Sequence, residues 1–119
     1  MKTLLLTGFM VFMLVAVNAQ IGDVQQKGDL LTTFDGSKKI GSFYISDSDI
    51  LLGYSSSIIV IQHGSMLISY NATGKKQGSF YISSGDQFKN VLDDKINIRK
   101  GNMLITFDVN GKKISSRYL

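Results

Sequence analysis

One unit occurs three times in this chain of 119 residues, and the repetition limits the fold more than any other feature. The first copy starts at Gly28 and reads GDLLTTFDGSKKIGSFYIS. The second starts at Gly64 and reads GSMLISYNATGKKQGSFYIS; the third starts at Gly101 and reads GNMLITFDVNGKKISSRYL. Their Lys pairs, Lys38/Lys39, Lys75/Lys76 and Lys112/Lys113, recur 37 residues apart. The copies make Leu30, Met66 and Met103 equivalent, as are Leu31, Leu67 and Leu104, and Phe34, Tyr70 and Phe107. Ser42, Ser79 and Ser116 match, as do Tyr44, Tyr81 and Tyr118.

Each copy reads as strands joined by tight turns. Ile58–Ile61 is a β-branched run, and a turn follows at His63 and Gly64. Met66, Ile68 and Tyr70 then alternate with Leu67 and Ser69, the period of a strand. Asn71 and Gly74 supply a turn, Lys75–Ile82 a return strand, and Ile50–Tyr54 a leading strand. Three strands in the first copy and four in each of the others predict an all-β fold of about eleven antiparallel strands. Apolar residues fall on both faces, so the sheets are expected to be covered on both sides. Gln87–Leu92 is the one stretch that reads as a short helical turn.

The first nineteen residues have a different character. Lys2 precedes an apolar stretch that ends in Val17, Asn18 and Ala19, the pattern of a secretory signal peptide. The stretch is shorter than the roughly 20 residues of a membrane-spanning helix. We expect residues 1–19 to be a signal peptide, residues 20–119 a single β domain, and the protein to be exported to the periplasm or outside the cell. The segment after the leader carries 12 Lys+Arg against 9 Asp, too mild a balance to argue for nucleic acid. Cys, Trp, Pro and Glu are absent. That excludes a thiolate nucleophile, a Cys-type zinc site and a glutamate general acid.

Candidate site residues were weighed by their repeat equivalents. His63, the single His, aligns with Lys27 and Lys100, so the position asks for a polar hairpin residue rather than a catalyst. Asp35, Asn71 and Asp108 read as turn formers. The pairs Asp47/Asp49 and Asp93/Asp94 lie outside any calcium-loop pattern and read as solvated linkers. No metal site, cofactor or enzymatic constellation is expected. Lys38, Lys39, Lys75, Lys76, Lys112 and Lys113 occupy equivalent hairpins, where a common rim would focus positive potential on an anionic partner. Tyr44, Tyr81 and Tyr118 are expected to pack their rings; the alternative is a repeated ligand-stacking platform.

The run from Ile58 to Ile82, with its strand ending at Asn71 and its Gly74-Lys75 pair, resembles a four-stranded blade of NHL-like six-bladed β-propellers. Met103–Lys112, an aromatic-Asp-x-x-Gly-Lys core, is similar to such blades as well. The resemblance implies blade-like packing of the three copies. Two departures stand out: Gly36-Ser37 shortens the first turn by one residue, and Phe43 and Phe80 give way to Arg117. Three units satisfy a ring either by pairing two chains into a homo-oligomer or by closing as a β-trefoil-like barrel. The expected function is a secreted, non-enzymatic binding module for an anionic glycan or a protein. The alternative is a structural component assembling through its β-edges.

Overall fold

The computed structural model describes residues 20–119, so the expected leader lies outside the described residues. Eleven strands follow in order: β1 (Asp23–Lys27), β2 (Leu30–Asp35), β3 (Lys38–Tyr44), β4 (Ile50–Tyr54), β5 (Ile59–His63), β6 (Met66–Tyr70), β7 (Lys76–Tyr81), β8 (Gln87–Leu92), β9 (Lys95–Lys100), β10 (Met103–Phe107) and β11 (Lys113–Tyr118). They form three antiparallel sheets, ordered β1-β2-β3, β4-β5-β6-β7 and β8-β9-β10-β11. Every ladder lies within one copy of the repeat, whereas a trefoil-like barrel needs strands paired between copies. That expectation is corrected: the described residues form no closed barrel or ring.

Local chemistry explains the elements. Gly28, Gly64 and Gly101 each open a two-residue hairpin at φ +60°, a conformation that costs glycine nothing. Gln87–Leu92 is a strand rather than a helical turn, because Phe88 and Val91 pair with Ile98 and Ile96 and pack against the second sheet. A short apolar run of this kind has no decisive period of its own.

The core lies in two layers between the three sheets. Ile59 and Ile61 of β5 meet Ile21, Leu31 and Ile45 of the first repeat. Ile58 and Val60, pointing the other way, join Leu67 and Phe80 against Ile96 and Ile98 of the third. The middle sheet is thus buried on both faces, which is why Ile58–Ile61 is a continuous apolar run rather than an alternating one.

The same device holds both interfaces. The Thr33 hydroxyl donates to the Ala72 carbonyl at 2.6 Å, and the equivalent Ser69 hydroxyl donates to the Val109 carbonyl, also at 2.6 Å. The hairpin of one repeat therefore lies over the outer strands of the repeat before it. Phe43 packs on Tyr70 with ring centroids 4.9 Å apart, and Phe80 stacks on Phe107 at 3.8 Å. Gly41 and Gly78 make room, since a Cβ on either would press on the backbone of that hairpin.

The two outward faces of the stack break this pattern. Where the first two sheets carry Val24/Val60, Gly41/Gly78 and Phe43/Phe80, the third carries Asn97, Ser115 and Arg117. Asn97 is satisfied there, donating to Asn90 at 2.8 Å and accepting from the Thr106 hydroxyl at 2.6 Å. At the other end, Asp23, Gln25 and Thr32 stand where the later sheets bury Ile59/Ile96, Ile61/Ile98 and Ile68/Ile105. The shortened Gly36-Ser37 hairpin belongs to the one sheet beneath which, among the described residues, no earlier sheet lies. Polar outer faces of this kind are characteristic of the capping units of stacked repeats.

Candidate functional site

The strand register sorts the repeated residues onto two opposite rims. On one rim lie the β2–β3, β6–β7 and β10–β11 hairpins with their lysines. On the other lie the glycine hairpins β1–β2, β5–β6 and β9–β10. β3 runs seven residues from Lys38 to Tyr44, so the candidate lysines and tyrosines stand about 20 Å apart at strand rise. The structure does not bring the two candidate sets together.

On the glycine rim each sheet presents one cross-strand row: Lys27–Leu30–Tyr44, His63–Met66–Tyr81 and Lys100–Met103–Tyr118. Residues directly opposite in a ladder share a face, so each row sets a basic group, a half-buried aliphatic and an aromatic ring side by side. The tyrosines are 78%, 73% and 78% exposed. The expected packing role is corrected: each Tyr ends an outermost strand, Tyr81 and Tyr118 at the margin of the face turned to the preceding sheet and Tyr44 on the outer face of the first sheet, which it shares with Leu30 and Thr32. Phe43 and Phe80, one residue earlier and on the opposite face, do the packing instead.

A second triplet was missed in the sequence. Gln26 and Gln62 each donate their side-chain amide to the carbonyl of the hairpin glycine, Gly28 or Gly64, at 3.1 Å. In the third repeat Arg99 does the same through Nε to Gly101, at 3.0 Å. The equivalence was visible in the repeat, but an Arg among Gln residues carried no signal without the bond. Two adjoining clefts open on this rim. One, of about 330 Å³, is lined by Gln62, Gly64, Ser65, Ile82 and the Ser83–Asp86 link; the other, of about 340 Å³, is lined by Gly85, Gln87, Arg99 and Gly101.

The links between sheets are capped by their own aspartates. Asp49 accepts from the Ser46 amide at 3.1 Å, and Asp86 from the Ser83 amide at 2.8 Å. Asp49 also meets His63 Nδ1 at 2.6 Å, with its own side chain only 8% exposed. It is therefore not the solvated linker residue expected, because the link folds back onto the glycine hairpin. Burial, helped by the Asp49 charge, pushes the Tyr70 hydroxyl above its ordinary pKa of 10.0. Asp94 pairs with Lys95 at 3.1 Å, and that hydrogen bond and charge hold its carboxyl below the usual range. Asn71 and Asp108 form their turns as expected, each accepting two backbone amides. Asp35 instead closes a two-residue hairpin against Lys38. Among the described residues no three His, Asp, Glu or Cys side chains converge to hold a metal ion.

The rim so described is a repeated display of exposed aromatic and hydrogen-bonding groups on an antiparallel β scaffold. No protein-family model matches the chain, and no curated protein is similar to it in sequence. Among solved structures it is similar to a protein of unknown function from Bacteroides caccae, at 7% identity and a TM-score of 0.49. The match covers 82% of this chain and 39% of that one, so the chain spans well under half the length of that protein.

Proposed function

We propose that the protein is an exported, non-enzymatic binding module, an open stack of three propeller-blade-like sheets that takes a glycan across its glycine rim. The observation that carries this reading is the exposure of Tyr44, Tyr81 and Tyr118 at one equivalent position. Exposed rings contribute nothing to the core, and single exposed aromatics are ordinary. Three at the same register, one per sheet and about 10 Å apart at the spacing of stacked sheets, form a row instead. A Tyr offers an apolar face to the C–H face of a sugar and a hydroxyl to its edge. The adjoining clefts supply amide, hydroxyl and carboxylate groups of the kind a polyhydroxylated ligand uses. The alternative of assembly through β-edges has weaker support, because the end faces are polar and the outer strands β3, β7 and β11 begin with lysine.

Isothermal titration of the protein against a panel of soluble polysaccharides tests this. Binding to one class is expected, weakened by Tyr81→Ala and abolished when all three tyrosines become Ala, with melting temperature unchanged. A drop in stability of the size seen for buried aromatics, about 3–5 kcal/mol, would instead assign the ring to packing.

A further inference from the structure

Resting on that reading, we infer that the cleft beside Gly101 is an anion subsite, in which Arg99 takes the carboxylate or sulfate group of an acidic sugar. Arg99 Nε is committed to the Gly101 carbonyl at 3.0 Å. That bond fixes the guanidinium plane and leaves its two Nη groups as a fork for a planar or tetrahedral oxyanion. Gln87 lies directly opposite Arg99 in the β8–β9 ladder and lines the same cleft with a neutral amide. Gly85 and Gly101 form the remaining walls, and nothing lies within 4 Å of where a Cβ would stand on either, so the backbone is open to a ligand. The neighbouring carboxylate, Asp86, is turned onto the Ser83 amide. Neither ion pair among the described residues involves Arg99. Arg117 stands in the same cross-strand row, across Leu104, and adds a second cation on that face.

The comparison between repeats isolates the role. Gln26 and Gln62 brace their hairpins through the same bond without bringing a charge. Bracing therefore does not require Arg, and what Arg99 adds is the anion-binding fork. The subsite belongs to the third repeat alone. It makes the ligand an acidic polysaccharide read by stacking along the row and by charge at one end.

The test uses Arg99→Gln, a change to the residue the other repeats carry at this position, which preserves the hairpin brace. Titrations compare polygalacturonate with its carboxyl-reduced form, and dextran sulfate with dextran. The wild type is expected to prefer the charged member of one pair by about tenfold or more, the size of a charge-assisted hydrogen bond. The pair that shows the preference identifies carboxylate or sulfate as the group. Arg99→Gln should erase the preference while binding to the neutral polymer persists, and Arg99→Lys should restore only part of it. A preference that survives Arg99→Gln, or a wild type indifferent to charge, overturns the subsite while leaving the tyrosine row standing. A wild type that binds none of the four polymers and no other glycan overturns both.

Discussion

Gly78 offers a direct test of how the sheets are held together. A Cβ built on it would lie 2.6 Å from Asn110 Cα and 2.5 Å from Asn110 O, both backbone atoms of the hairpin from the third sheet. Neither atom can swing aside as a side chain would. Gly78→Ala must therefore lift the β10–β11 hairpin by about an ångström to restore ordinary carbon contacts near 3.5 Å. Overpacking of this kind costs about 1–3 kcal/mol. Lifting the hairpin also strains the Ser69–Val109 hydrogen bond, about 1 kcal/mol, and the Phe80–Phe107 stack, about 0.5–1.5 kcal/mol. Replacing a strand glycine returns about 0.5–1 kcal/mol. The net loss is about 3 kcal/mol, which in a domain of this size lowers the melting temperature by roughly 12–24 °C. Gly41→Ala is the internal control: its Cβ would sit 3.1 Å from Thr73 Cα and 3.3 Å from Ala72 O, which a few tenths of an ångström relieve. We expect about 0–1 kcal/mol there, and no change beyond about 0.5 kcal/mol for Ser115→Ala, on an outward face. Circular dichroism melts measure the series. Equal melting of Gly78→Ala and Gly41→Ala would refute the account of the interface.

Two further expectations concern charge and the ends of the stack. Because Tyr70 has its pKa raised by burial and by Asp49, it favours the folded state fully below pH 10.0, and that contribution is lost as pH rises through the higher folded value. Melts between pH 9 and 12 should show an alkaline loss of stability that Tyr70→Phe reduces; an identical loss in both proteins would exclude Tyr70 as its source. Combining Asn97→Val, Ser115→Gly and Arg117→Phe gives the third sheet the apolar outer face of the other two, and light scattering should then report concentration-dependent association beyond that of the parent. A triple variant whose mass matches the parent's at every concentration would show that these residues do not end the stack.

Much of the architecture was legible because each position was written three times. Repetition turned the weak evidence of a short strand into agreement among equivalents, and by aligning His63 with Lys27 and Lys100 it marked that position as a polar hairpin residue. The same repetition was silent about exposure. Phe43 recurs at Phe80 as Tyr44 recurs at Tyr81, yet one is packed against the next sheet and the other stands in solvent, a difference set by which face of the outermost strand each takes. Asp49 was unreadable for another reason: its partner His63 lies fourteen residues away on a separate strand, and no local spacing encodes that contact. The shortened turn at Gly36-Ser37 and the Arg at 117 were both visible as departures. Their meaning needed the topology: among the described residues no other sheet packs on the outer face of the first sheet or of the third.

Among the described residues the middle repeat alone has an apolar face on each side, which suits it to being copied. Two middle repeats in tandem would meet through an interface of the same kind, Val60, Leu67 and Phe80 of one copy against Ile59, Ile61 and Tyr70 of the next. Each insertion would lengthen the row by one tyrosine and about 10 Å. Repeat number would then set the length of the exposed tyrosine row.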